Sequence, residues 1–150
     1  MALRQWCATR HIADPPEIRA RPVAGKASAL PPDLRAMLGV GQEEALGYRH
    51  VRLTCGHTVL SEAHNWFVPT RLPPEMNTAL TSSDTPFGKV IAPLGFTRER
   101  LASQRGRAPG CPAGTVLAHR ALLRLANGWP ISLVVECYTA ANLAKSQPGK

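Results

Sequence analysis

Two charged residues occupy positions where the sequence pattern predicts buried β-strands. Arg49 shares one face of an alternating strand with Val51 and Leu53, and Glu136 interrupts the apolar segment ISLVVECYTA at 131–140. A guanidinium can hold a carboxylate ligand through two parallel hydrogen bonds. A desolvated carboxylate suits proton transfer or a hydrogen bond to a hydroxyl. If both strands belong to one sheet, we expect Arg49 and Glu136 to line an enclosed cavity for a small anion.

The same pattern has a structural explanation, which stays open at this point. Arg49 and Glu136 could pair with each other or with surface partners, because structural ion pairs also place charges in strands. A third polar anchor is predicted where a short helix begins at Pro86. The backbone N–H groups of 85–88 have no partner within such a helix and could contact an anion.

The cysteines and histidines offer less chemistry. The four cysteines stand at positions 7, 55, 111 and 137, and none forms a C-x-x-C pair. We therefore expect neither a disulfide framework nor a four-ligand zinc site. A metal site using Cys55, His57 and His64 can be imagined, but a turn cysteine and surface histidines are the preferred interpretation. The prediction is that the protein uses no metal and no cofactor.

Composition excludes several classes of protein. The chain has 150 residues, a length typical of one domain, and its 18 basic and 10 acidic residues give a net charge of +8. The basic residues are scattered without a stripe, so we expect no nucleic-acid partner. No apolar segment is long enough to span a bilayer or to form a secretory signal, so we expect no membrane partner and a cytoplasmic location.

The elements that must position Arg49 and Glu136 are two β-hairpins. The first turns near Cys55-Gly56-His57, and the second turns at Asn127-Gly128, the strongest short hairpin signal. Short helices are predicted at 30–38, at 72–80 and after Pro86. The Gly/Pro-rich segment 105–114 predicts a loop or flap. This order predicts an α+β fold, in which hairpins build an antiparallel sheet and helices pack on one face.

Three ranges divide the chain in this prediction. Residues 1–29 form a flexible N-terminal arm, residues 30–143 form the folded domain, and residues 144–150 form a polar tail. The oligomeric state expected by default is a monomer.

Four short motifs resemble the chorismate pyruvate-lyase family, whose fold is shared by the effector-binding UTRA domains of bacterial transcription regulators. They cover about residues 46–140 and follow the family's order. The motifs are YRHVRL, EAHNWFVP, DTPFG and HRALLRLANGWPISLVVECYT.

The resemblance implies an antiparallel sheet with helices on one side and a ligand buried beneath flaps. It also implies cleavage of chorismate to 4-hydroxybenzoate and pyruvate without a cofactor, as in ubiquinone biosynthesis. Carried onto this sequence, Arg49 would hold the ring carboxylate and Glu136 would contact the ring hydroxyl at the far end. Phe87 and Gly88 would offer backbone N–H groups there. Whether Glu136 acts as a base or only as a hydrogen-bond partner stays open.

Three hypotheses about function follow. The first is a lyase of this type, with Arg49 and Glu136 as its catalytic residues, and the resemblance favours it. The second is a non-catalytic module that binds small aromatic or pre-aromatic acids, such as hydroxybenzoate or chorismate, without turnover. The third is an interaction domain driven by positive charge, which the absence of a basic cluster disfavours.

Overall fold

The computed structural model describes residues 3–24, 30–106 and 108–143. Its four α-helices are α1 (Leu3–Thr9), α2 (Leu34–Leu38), α3 (Pro74–Ser82) and α4 (Phe87–Ile91). Its six strands are β1 (Ile18–Pro22), β2 (Gly47–Cys55), β3 (Thr58–Phe67), β4 (Thr97–Arg105), β5 (Leu117–Arg124) and β6 (Pro130–Tyr138). None of the helices in the described ranges is both long and apolar enough to cross a membrane.

The six strands form one antiparallel sheet in the order β1-β2-β3-β6-β5-β4. Both predicted hairpins are present as β2–β3 and β5–β6, and β3 pairs with β6 to join them. The second hairpin turns at Asn127-Gly128, where Gly128 has a φ of 87°, a backbone conformation that glycine adopts without strain. The predicted α+β fold with an antiparallel sheet is confirmed.

One face of the sheet, here called the helical face, is covered by α3 and α4. Strand alternation places Phe67, Ala121 and Val134 on this face, where they pack against Met76 and Phe87 of the two helices. A separate cluster at the end of the same face holds α1 against Tyr138. These contacts explain why α3 and α4 form although both helices are short, because their apolar sides are buried in a shared core.

The opposite face, here called the groove face, carries the remaining helix. Leu34 and Leu38 of α2 pack there against Trp66, Leu122 and Leu133. The loop 106–116, whose residue 107 lies outside the described ranges, covers a neighbouring part of this face. The helices are therefore divided between the two faces, whereas the sequence placed them on one.

The N-terminal residues differ from their predicted role. We predicted a flexible arm over 1–29, but the structure folds 3–24 onto the sheet, with β1 paired along β2. Ala20 is fully buried, and its N–H donates to the carbonyl oxygen of Asp84 in the loop before α4. The pattern was missed because β1 is only five residues long and ends in Pro22. Residues 1–2 and 25–29 of the predicted arm, and the predicted tail 144–150, lie outside the described residues.

All four cysteines form disulfides, so the expectation of no disulfide framework is wrong. Cys7 is bonded to Cys55, and Cys111 is bonded to Cys137. The partners are 48 and 26 residues apart in the chain, so no local spacing rule could reveal them. The first disulfide fixes α1 to the end of β2, and the second fixes the loop 106–116 to β6.

Candidate functional site

Arg49 is buried on the helical face of β2, as its alternating pattern predicts. Its side chain lies beneath the loop that joins α3 to α4, and Nη2 donates a hydrogen bond of 2.9 Å to the carbonyl oxygen of Ser83. Arg49 is only 8% exposed, and its Nη1 has no hydrogen-bond partner among the described residues. Burial lowers the pKa of the Arg49 guanidinium, while the Asp84 carboxylate acts in the opposite direction. Arg49 is thus a buried cation with an unused donor.

The nearby carboxylate of Asp84 does not supply the missing partner. Its Oδ2 accepts a 2.9 Å hydrogen bond from Nη1 of Arg19 on β1. That hydrogen bond is the largest cause of a lowered pKa at Asp84. Since Asp84 is hydrogen-bonded to Arg19, it leaves Nη1 of Arg49 without a hydrogen-bond partner.

Phe87 and Gly88 form the first turn of α4, directly after this loop. Pro86 is the N-cap residue before α4, and its carbonyl oxygen accepts from the N–H groups of Lys89 and Val90. The N–H groups of the first two residues have no acceptor within the helix. The Phe87 side chain is buried in the core, with its ring centroid 5.6 Å from that of Phe67.

Glu136 lies on the same face as Arg49, as the hypothesis requires. The register pairs Arg49 with Asn65, Asn65 with Val134, and Ala63 with Glu136. Two strand spacings and two residues of rise separate the Cα atoms of Arg49 and Glu136, a distance of about 12 Å. Their side chains therefore project from the same face with β3 between their strands, and they do not hydrogen-bond to each other.

Glu136 is paired, and its partner comes from an unexpected strand. Arg98 of the edge strand β4 forms an ion pair with Oε1 of Glu136. The Tyr138 hydroxyl donates to Oε2 at 3.3 Å. Burial, followed by the Glu136 charge, raises the pKa of Tyr138 above its ordinary value. The carboxylate of Glu136 is thus oriented by two donors rather than left alone in an apolar strand.

A cleft of about 530 Å³ opens on the same face of the sheet. Its lining includes Leu117, His119 and Tyr138, all of which alternate onto the helical face. The rings of His119 and Tyr138 meet edge to face at 5.3 Å. Glu136 is paired across the strands with His119, but neither Glu136 nor Arg49 lines this cleft.

A second polar cluster lies on the groove face and was not predicted. His50 of β2 pairs directly with His64 of β3, and Glu62 stands two residues before His64. The ligand atoms of these three residues all lie within 4.8 Å of one another. The metal ligands considered from the sequence were Cys55, His57 and His64, but Cys55 is in a disulfide and His57 is exposed. The sequence could have indicated this cluster only through the pairing of His50 with His64 across the hairpin, and that pairing depends on the strand register.

The groove face also carries a cleft. Its volume is about 610 Å³, and it lies between the residues before α2 and the loop 106–116. Trp66 and Val135 form part of its floor, and Pro31, Pro109 and Gly110 belong to its sides.

Solved structures of other proteins share this architecture. The effector domain of PhnF from Mycobacterium smegmatis superposes with a TM-score of 0.59 at 14% identity, over 83% of this chain and 82% of that one. A GntR-family transcriptional regulator from Enterococcus faecalis gives 0.58 at 12% identity, over 85% and 98%. YydK of Bacillus subtilis, described as a possible transcriptional regulator, gives 0.56 at 16% identity. The alignment with YydK covers 83% of this chain but only 58% of YydK. The chain has the chorismate lyase-like fold that such effector domains share.

Sequence similarity defines the family more closely. The chain is 37% identical over 158 aligned positions to the uncharacterized protein y4mC of Sinorhizobium fredii, an alignment covering 93% of this chain and 67% of y4mC. The chain belongs to the same family as y4mC. No protein-family model matches the chain.

These comparisons correct the expectation of an enzyme. The solved structures that share the fold are described as transcriptional regulators and their effector domains, so the predicted lyase activity of Arg49 and Glu136 is wrong. In the structure, Glu136 is also already engaged in an ion pair with Arg98. The comparisons likewise give no support to the release of pyruvate from chorismate or to a place in ubiquinone biosynthesis.

Proposed function

We propose that the helical face binds a small anionic ligand without transforming it. The observation that carries the proposal is Arg49, a guanidinium only 8% exposed whose Nη1 has no partner among the described residues. Leaving a buried donor unsatisfied costs about 1–3 kcal/mol, and more when the group is charged. A ligand carboxylate or similar anion would satisfy that donor and neutralise the charge together.

The loop between α3 and α4 supports the same proposal. Ser83 already orients the guanidinium through its carbonyl oxygen, so Arg49 would meet a ligand in a fixed position. The N–H groups of Phe87 and Gly88 follow in the same loop-to-helix segment and would supply neutral donors to the bound ligand.

Glu136 would contact the opposite end of the ligand. Arg98 and Tyr138 fix both of its oxygens, so the carboxylate could accept from a ligand hydroxyl while keeping its orientation. A spacing of about 12 Å between the Cα atoms leaves room for one six-membered ring between two extended side chains. A small aromatic or pre-aromatic acid with a distal hydroxyl meets both requirements.

Calorimetric titration of the full chain with 4-hydroxybenzoate, benzoate and chorismate tests this function. We expect reversible binding, with chorismate recovered unchanged. Arg49→Gln should weaken binding of 4-hydroxybenzoate by about 10- to 150-fold, the equivalent of about 1.5–3 kcal/mol for a charge-assisted hydrogen bond. Glu136→Gln should reduce the preference for 4-hydroxybenzoate over benzoate.

A matched control stands on the same strand. Arg52 points to the groove face and pairs with Glu62, so Arg52→Gln should leave binding of the acid unchanged. The proposal fails if folded Arg49→Gln binds the acids as well as the parent protein, or if millimolar concentrations of all three acids give no binding.

A further inference from the structure

The cluster of His50, Glu62 and His64 on the groove face has the residue types of a metal site. The hairpin register fixes it, because His50 and His64 are directly paired and Glu62 shares their face. The ring centroids of the two histidines are 4.1 Å apart. His64 is 2% exposed, and the side chains of His50 and Glu62 are 17% and 14% exposed. All three are held by strands rather than by loops, so little entropy would be lost in arranging them.

The hydrogen bonds of His64 decide which nitrogen could bind a cation. Nε2 lies 3.1 Å from the carbonyl oxygen of Gly110, which can only accept, so Nε2 carries the proton. In the neutral ring, Nδ1 then has a free electron pair, and it accepts from the Tyr48 hydroxyl at 2.8 Å. An N–H bonded to a backbone carbonyl, with the other nitrogen basic, is the usual arrangement of a metal-binding histidine.

A hydrogen bond from Arg52 orients the Glu62 carboxylate toward His50. Arg52 Nε donates to Oε1 at 3.1 Å, which leaves Oε2 directed at His50 Nε2 at 2.9 Å. A cation placed between Glu62 Oε2 and His50 Nε2 would take the place of the hydrogen bond that now joins them.

We propose that His50 Nε2, Glu62 Oε2 and His64 Nδ1 form a binding site for a divalent cation of the zinc type. Ligand atoms around tetrahedral Zn²⁺ lie about 3.3 Å apart, so a set already within 4.8 Å needs only small side-chain movements. Two imidazoles and one carboxylate suit Zn²⁺ better than Mg²⁺ or Ca²⁺, which prefer oxygen ligands. The Tyr48 hydroxyl or a water would take the fourth position.

The site would connect three parts of the groove face. Its ligands join β2 to β3, and His64 is bonded to Gly110 beside Cys111, which the disulfide fixes to β6. Binding only to the folded state must stabilise that state in proportion to the free metal concentration. The cation would therefore strengthen the hairpin and hold the loop 106–116 over the adjacent cleft.

The test is titration of the full, untagged, oxidised chain with Zn²⁺ by calorimetry, and with Co²⁺ by visible absorption. We expect one ion per chain, with Co²⁺ bands typical of tetrahedral nitrogen and oxygen ligands. Glu62→Gln, His50→Gln and His64→Gln should each weaken Zn²⁺ binding by at least about 100-fold, more than the ~10–100-fold loss seen for residues that only orient a ligand. His57→Gln and His11→Gln, at exposed positions, should bind Zn²⁺ like the parent protein.

Two safeguards keep the outcomes separate. His64 is buried and its variant could unfold, so Glu62→Gln and His50→Gln carry the decision, with circular dichroism to confirm folding. Unchanged affinity in folded Glu62→Gln and His50→Gln, or loss of Zn²⁺ binding in His57→Gln, would overturn the proposal. Arg49→Gln lies on the other face and should bind Zn²⁺ normally, so this proposal and the anion-binding function can fail independently.

Discussion

The two faces of the sheet solve the problem of buried polar groups in opposite ways. On the helical face, Arg49 retains an unpartnered donor beneath a loop. On the groove face, both ring nitrogens of His64 have partners, and the electron pair suited to a metal is occupied by a hydroxyl. The unsatisfied donor of Arg49 can bind an anion without breaking an existing hydrogen bond. The Nδ1 atom of His64 can bind a cation only if the cation replaces the hydrogen bond from the Tyr48 hydroxyl. One sheet can thus present two sites of opposite charge preference.

The largest expected change is a loss of stability when the core between the sheet and α4 is truncated. Phe87→Ala removes a ring that packs on Phe67, and such truncations lower the free energy of unfolding by about 3–5 kcal/mol. Urea denaturation measures the loss. Phe87→Leu, with less volume removed, should lose much less stability and keep the Zn²⁺ site intact. An equal loss in both variants would contradict this account of the core.

The next effect belongs to the groove face. Replacing Cys111 and Cys137 together by serine opens a loop of 26 residues, whose closure contributes about 3.5 kcal/mol in the chain-entropy model. Thermal and urea unfolding should both register the change. Because the disulfide packs on the groove face beside Ala118 and Val135, binding of 4-hydroxybenzoate by Arg49 should survive, and its loss would show that the two faces are coupled.

Arg49 on the helical face can be compared with the half-buried Arg71, which contacts the end of α2 on the groove face. Arg71 donates to the carbonyl oxygens of Leu38, Gly39 and Pro130, so Arg71→Met should lower stability by about 2 kcal/mol. Arg49→Met loses one such bond but also removes an unpartnered buried donor, so its stability should change by less than about 1 kcal/mol. Paired urea titrations without ligand check this, and a large loss for Arg49→Met would show that its charge is already satisfied.

The smallest expected effect is the pH dependence that His119 gives to stability. Burial, followed by the charge of Arg100, lowers the pKa of His119 below its ordinary value of 6.5. Below that value the unfolded chain binds more protons at this site than the folded chain, so its contribution to stability falls as the pH falls from 6.5 toward the lowered pKa. Proton NMR titration of the His119 ring should give a midpoint below 6.5. A midpoint at or above 6.5 would mean that Glu136, which acts in the opposite direction, dominates the site.

The sequence predicts what depends on local pattern and misses what depends on pairing across distance. Alternation in β2 predicted the buried face that Arg49 occupies, and Asn127-Gly128 located the closing hairpin. The expectation that Arg49 and Glu136 share a face was conditional on one sheet joining both hairpins, which the pairing of β3 with β6 provides. Arg98 could not be identified as the partner of Glu136, because it comes from a strand with no buried side. The His50–Glu62–His64 cluster and both disulfides likewise require the register and the three-dimensional path of the chain.

The edge strand β4 has a consequence of its own. All nine of its residues are exposed, and one side of its backbone has no neighbouring strand in the described sheet. Four of the nine are charged, namely Arg98, Glu99, Arg100 and Arg105, and a bulge falls between Arg100 and Ala102. Charged side chains and an interrupted register are the features that prevent one sheet from growing onto another. We therefore expect β4 to resist edge-to-edge pairing with another sheet, although none of its side chains is buried in the core.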